Sequence, residues 1–242
     1  MRSAAFLGMF LIAASGFAKE PYGSIADLKL AKPEDGKDVP KAAPPSGAVV
    51  LFDGKSLDGW TKRDGKSPAH WKLMDNGAVQ VAGGGDIISK QKFGGTFKLH
   101  VEFRVPYEPQ GKGQGRGNSG VYVQGRYEIQ VLDSYGLKSG ANDCGAIYGV
   151  ATPLVNACKA PTVWQSYDIE FQSPVCEGGK KKAPALMTVH HNGVKIHENV
   201  KITSDNTTSG AGGDVCQPGP VLLQDHGNPV QYRNIWVVQG KE

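Results

Sequence analysis

The chain has 242 residues, 39% of them hydrophobic, with 33 glycines and 15 prolines. That is enough for one sizeable core built from many turns and short strands, and no stretch reads as a long helix. The formal net charge is +4, or 4 − 1 = +3 once Arg2 is removed with the leader described next. A balance this mild, with Lys180-Lys181-Lys182 as its short basic run and no interleaving of basic and aromatic residues, argues against a nucleic-acid partner.

The chain opens like an export signal. Arg2 precedes an apolar run over residues 4–14, interrupted only by Gly8, and Gly16 and Ala18 supply the small residues of a cleavage site after Ala18. The run is short for a membrane span, no cysteine follows it to carry a lipid, and no later stretch is long and apolar enough to cross a bilayer. The expectation is a signal peptide over residues 1–18 and a periplasmic or extracellular protein. Residues 19–47, charged and rich in proline, read as a flexible or extended tether, and residues 48–240 as the folded domain.

Within that domain the pattern is β throughout. Asp75-Asn76-Gly77 and His191-Asn192-Gly193 each sit between short apolar runs and predict tight hairpins, since Asn-Gly tolerates positive φ. Residues 96–105 give the longest alternation, with Phe97, Leu99, Val101, Phe103 and Val105 on one face and Lys98, His100, Glu102 and Arg104 on the other. Its length predicts a strand in the middle of a large sheet. Residues 121–123 and 127–131 read as two more strands joined by a turn at Gly125, with Arg126, Glu128 and Gln130 side by side on one face. Residues 164–172, 186–190, 194–197 and 230–238 add further strands, and the polar, glycine-rich residues 203–217 a long loop. Some ten to twelve strands at this turn spacing predict two antiparallel sheets packed face to face.

The strand faces turned from the core carry His100, Glu102, Arg104, Arg126, Glu128, Gln130, Asp168, Glu170, Gln224 and His226. If the strands are neighbours, the result is a polar groove with carboxylates, arginines and imidazoles, suited to acid–base work on a sugar. If they are not, it is a solvated face held by cross-strand charge pairs. Glu102, Glu128, Asp133 and His226 are also suitable ligands for a divalent metal, although no ligand-spacing motif links them. Asp53 and Asp58 sit in turns and read as turn-formers or part of a structural ion site.

Four cysteines stand at 144, 158, 176 and 216, with no CxxC pair, so a zinc ribbon is not indicated. In an exported protein an even number favours disulfides. Of the three possible pairings, Cys144–Cys158 and Cys176–Cys216 would each staple a loop-rich stretch.

Six motifs in order resemble one family. They are Leu51-Phe52-Asp53-Gly54-Lys55-Ser56-Leu57-Asp58-Gly59-Trp60, Glu102-Phe103-Arg104 and Asn118-Ser119-Gly120 with Tyr127-Glu128-Ile129-Gln130-Val131-Leu132-Asp133; then Gly145-Ala146-Ile147-Tyr148, Leu223-Gln224-Asp225-His226-Gly227 and Arg233-Asn234-Ile235-Trp236. Together they resemble the 3-keto-disaccharide hydrolase family over residues 49–238. The resemblance implies an all-β, concanavalin-like jelly-roll sandwich and an exported protein whose partner is an oxidised glycoside. It implies cleavage of glycosides whose C3 hydroxyl has become a ketone. The ketone acidifies the C2 proton, a base removes it, and the C1 substituent leaves by β-elimination, with water able to add afterwards. On this reading Glu128 is the base, His226 the acid or a metal ligand, and Arg104 the group polarising the ketone. Glu102, Asn118, Gln130, Asp133, Tyr148 and Gln224 bind sugar hydroxyls. The alternative is a lectin-like module that binds a glycan and does no chemistry.

Overall fold

A computed structural model describes residues 22–240; the expected leader lies outside them. The first sheet has eight strands. These are β1 (Val49–Phe52), β3 (Lys72–Leu73), β4 (Val79–Gln80), β6 (Thr96–Arg104), β9 (Gln165–Gln172), β12 (Ala185–His191), β13 (Val194–Ile202) and β15 (Gln231–Gln239). Their order is β13-β12-β9-β6-β15-β4-β3, with β1 also paired to β15. The second sheet has five strands, ordered β2 (Trp60–Lys62), β5 (Ile87–Phe93), β14 (Gly219–Leu223), β7 (Ser119–Val123) and β8 (Tyr127–Val131). A separate hairpin pairs β10 (Val175–Glu177) with β11 (Lys180–Ala183), and the short basic run lies on its second strand. All pairings between named strands are antiparallel. The architecture is the all-β jelly-roll sandwich expected, and helix among the described residues is confined to 3-10 turns at Pro33–Gly36 and Gly113–Gly115.

Alternation builds the core. Phe97, Leu99, Val101 and Phe103 of β6 join Tyr167, Ile169 and Phe171 of β9 from one sheet, and Val121, Val123, Tyr127, Ile129 and Val131 from the other. Strand β6 lies centrally, between β9 and β15, as its length predicted. The Asn192-Gly193 turn joining β12 to β13 has φ of 53° and 77°, the left-handed backbone that those residues adopt readily.

Residues 22–47 hold the Pro33–Gly36 turn and no strand, yet they are held closely along the outer face of the large sheet. The Tyr22 hydroxyl donates to the Arg104 carbonyl (2.7 Å), the Val39 amide to the Trp164 carbonyl (3.0 Å), and the Ala42 amide to the Glu102 carboxylate (3.0 Å). The stretch expected as a tether thus covers polar side chains that the large sheet turns away from the core.

Candidate active site

The two sheets use their outer faces differently. On the small sheet, register puts Glu128 opposite Tyr122 and Gln130 opposite Gly120. The Gln224 amide donates to the Gly120 carbonyl (3.0 Å), which extends the second row onto the chain after β14. Since side chains two apart share a face, Gly120, Tyr122, Glu128, Gln130 and Gln224 form one polar patch. Gln114, Asn118, Tyr148, Ser209 and His226 close around it, and with Glu128, Gln130 and Gln224 they line a cavity of about 50 Å³. Asn118, Glu128, Gln130 and Gln224 form its buried floor; Tyr148 is half-buried, and Ser209 and His226 are exposed at the rim.

Glu128 is its chemical centre. Only 2% of the residue is exposed. Burial pushes its carboxyl up to about 7, against a hydrogen bond from the Tyr122 hydroxyl that pulls it down, and the nearby Asp86 charge adds to the rise. Tyr122 in turn accepts from Gln224 Nε2 (2.9 Å), and burial raises its own ionisation well above the ordinary range. Space for the carboxylate comes from Gly120: a Cβ there would lie 2.6 Å from Glu128 Oε1. At this position glycine is required by close approach of a neighbour.

A second device fixes the amides beside it. Gln114 Oε1 accepts from both Asn118 Nδ2 (3.1 Å) and Gln130 Nε2 (2.8 Å), while Gln114 Nε2 donates to the Asn142 carbonyl (2.8 Å). Both NH2 groups being engaged, Asn118 Oδ1 and Gln130 Oε1 are left as buried oxygens with no donor among the described residues. Two orphaned acceptors in a polar cavity are fitted to hydroxyl groups from a ligand.

The loop bearing Ser209 is pinned from below. Thr207 Oγ1 accepts from the Glu128 amide (3.1 Å) and donates to the Arg126 carbonyl (2.8 Å). Arg126 binds the Asp214, Gln217 and Gly212 carbonyls. The expected Cys176–Cys216 disulfide joins the same loop to the β10–β11 hairpin. Arg126 is therefore a buried anchor for the loop.

Glu128, Asn118, Gln130, Tyr148, Gln224 and His226 are thus gathered in one place. Arg104, Glu102 and Asp133 are not. Arg104 and Glu102 lie on β6 in the other sheet. The Arg104 guanidinium stacks on the Tyr22 and Trp164 rings (4.6 and 5.0 Å to the centroids) and donates to Gln231 Oε1 (2.8 Å). Glu102 accepts from Arg233 Nε and Asn234 Nδ2 (both 2.6 Å). Burial opposes its charge, yet bonds from His100, Asn234 and Arg233 hold its carboxyl below the ordinary range. Asp133 closes the end of β8 through an ion pair with Arg116 (2.8 Å), and burial nevertheless raises its carboxyl. Alternation places Arg104 and Glu102 off the core correctly, but it does not say which of two outer faces they share.

The metal quartet is not assembled either: of its members only Glu128 and His226 line the cavity. Among the described residues, three potential ligand side chains converge instead at Cys144, Cys158 and His191. Those two cysteines are buried free thiols, which corrects the expected Cys144–Cys158 disulfide; Cys144 Sγ lies 3.1 Å from the Tyr167 hydroxyl. A larger cavity of about 530 Å³ lies elsewhere, between the Pro33–Gly36 turn and residues 135–159. Its buried acid, Asp35, already accepts from the Tyr135 hydroxyl (2.8 Å), so the raised carboxylate and orphaned acceptors favour the smaller cavity as the reactive one.

Residues 47–238 match the model of the 3-keto-alpha-glucoside-1,2-lyase-like domain. The chain belongs to that family. It is 37% identical to a candidate glycosyl hydrolase from Parabacteroides distasonis ATCC 8503, covering 81% of this chain and 85% of that one with a TM-score of 0.72. A second candidate glycosyl hydrolase from that organism, 24% identical over 80% of this chain and 99% of its own, shares the fold at a TM-score of 0.55. No curated protein matches. The family and the nearer neighbour place the chain among carbohydrate-active, glycosyl hydrolase- or lyase-like proteins.

Sequence reasoning missed Gln114 and Ser209 as lining residues. Gln114 lies in a glycine-rich stretch without periodicity, and Ser209 in a loop fixed only by distant contacts. Tyr122 was accessible, since it alternates with Val121 and Val123 and so shares a face with Glu128 once the hairpin is drawn.

Proposed function

We propose that this protein is an exported enzyme that cleaves 3-keto-glycosides, with Glu128 removing the C2 proton. The observation carrying this reading is a buried carboxylate poised near neutrality at the floor of a polar cavity. A general base works best when its proton affinity lies near the working pH, and burial supplies that here.

The C2–H electrons move into a C2–C3 double bond and the ketone becomes an enolate. On collapse, the C1–O bond breaks with its electrons on the leaving oxygen, which takes a proton. His226 at the rim is assigned that delivery, with the hydroxyls of Tyr148 and Ser209 as donors to the developing oxyanion. Arg104 has no part in these steps. The orphaned oxygens of Asn118 and Gln130 accept from sugar hydroxyls and fix the ring over Glu128. A cavity of this size takes the reacting edge of the ring, and the remainder of the glycoside lies across the exposed rim. Addition of water across the unsaturated product gives net hydrolysis.

The test is a 3-keto-glucoside with a chromogenic leaving group, run beside the unoxidised glucoside with wild-type protein and Glu128→Gln. Release from the keto form only, lost in the variant, supports the reading. Binding of the keto sugar without release identifies a lectin-like module instead.

A further inference from the structure

We infer that Cys144, Cys158 and His191 form a closed site for one thiophilic d10 cation, zinc(II) or copper(I). Their ligand atoms all lie within 4.8 Å of one another, and all three residues are buried. Two thiolates and an imidazole are the soft and borderline donors that these ions select.

The surroundings prepare each ligand. Gln165 Oε1 accepts the Lys159 amide (2.8 Å), which identifies it as an oxygen, and it lies 3.0 Å from His191 Nε2. His191 Nε2 therefore carries the ring proton and Nδ1 the lone pair. Nδ1 is on the side of the cysteine-bearing turn: a Cβ added at Gly145 would sit 3.8 Å from it. A ligand histidine whose other nitrogen donates to a fixed oxygen is the usual way a protein orients the ring on a metal. Both cysteine backbones are also held, the Cys144 amide by Ser134 Oγ and the Cys158 amide by Asn156 Oδ1 (each 3.0 Å). The Tyr167 hydroxyl lies beside Cys144 Sγ (3.1 Å).

The cation would join parts of the molecule that carry the sugar site. His191 ends β12 of the large sheet, whereas Cys144 and Cys158 lie in loops. The Gly145 amide and the Tyr167 hydroxyl both donate to the Gln130 carbonyl (2.9 and 2.7 Å), and the Gln130 amide donates to the Ala146 carbonyl (3.0 Å). The site thus backs onto the Gln130 backbone, and the Cys144 loop continues to Tyr148. Its expected role is to hold that loop, with no contact to substrate.

Full-length protein, purified without metal-affinity steps and kept anaerobic, is loaded with buffered zinc(II) or copper(I) and passed through gel filtration. One equivalent of one ion should be retained, with a rise in Tm. Metal-edge X-ray absorption should show two sulfur neighbours and one imidazole nitrogen. Cys158→Ser and His191→Ala should lose retention; if neither folds, the absorption spectrum of the wild type decides. Retention of neither ion, a first shell without sulfur, or a Cys144–Cys158 disulfide in non-reduced peptides would each overturn the site.

Discussion

Glu128→Gln separates a working base from a structural carboxylate, because stability and turnover should move in opposite directions. Burial raises the Glu128 carboxyl from its ordinary 4.5 to about 7 in the folded protein. Above pH 4.5 the unfolded chain releases this proton while the folded protein retains it, so wild-type stability falls as pH rises from 4.5 to 7 and then levels off. At 1.36 kcal/mol for each tenfold change in proton affinity, the loss is about 3 kcal/mol. Glutamine keeps the shape without the charge. The variant should gain stability relative to wild type between pH 5 and pH 8, by an amount approaching that figure and reduced by any weakening of the Tyr122 contact. Its turnover on a 3-keto-glucoside should fall by about 10²- to 10⁴-fold, the usual worth of a general base. Wild-type kcat/KM should rise with pH through about 7 as the carboxylate forms. Denaturant unfolding at a series of pH values, beside initial rates over the same range, reads both effects. A stability difference that stays constant from pH 5 to pH 8 would refute the raised carboxyl, and unchanged turnover would remove Glu128 from the chemistry.

Other substitutions test the supporting parts. Gly120→Ala places a methyl 2.6 Å from Glu128 Oε1, so the carboxylate must shift; turnover should drop at least tenfold while circular dichroism stays that of a β protein. Gln114→Ala removes one acceptor from each of the Asn118 and Gln130 amides and leaves them the Gln114 and Asn142 carbonyls. With each lost hydrogen bond worth about 1 kcal/mol, KM for the keto sugar should rise by up to about 30-fold with a smaller change in kcat. Cys176→Ser opens a link across 40 residues, and the chain-entropy relation gives a loss of about 4 kcal/mol, read as a lower Tm under non-reducing conditions.

The fold was legible because alternation and Asn-Gly turns are local signals. The apolar face of residues 96–105 entered the core, and residues 192–193 turned as their chemistry requires. Half the site was legible for the same reason: Glu128 and Gln130 share a face by period, and the six-motif resemblance singled out Asn118, Tyr148, Gln224 and His226. What the sequence did not disclose is topology. Strands β6 and β8 both turn charged residues from the core, but they belong to different sheets, so Arg104 and Glu102 are separated from Glu128 by the hydrophobic interior. Cysteine pairing was half legible, since parity points to disulfides but does not reveal that His191 and Tyr167 stand beside Cys144.

The close packing of residues 22–47 makes the folding unit longer than the unit of kinship. The family match begins at residue 47, yet Ala42 hydrogen-bonds both Glu102 and Asn234, and the Tyr22 ring covers the Arg104 guanidinium. A protein trimmed to the homologous boundaries would keep every group in the Glu128 cavity while uncovering the charged back of the large sheet. Its activity, if the domain still closes, would be that of the intact enzyme, and its solubility and thermal tolerance would not.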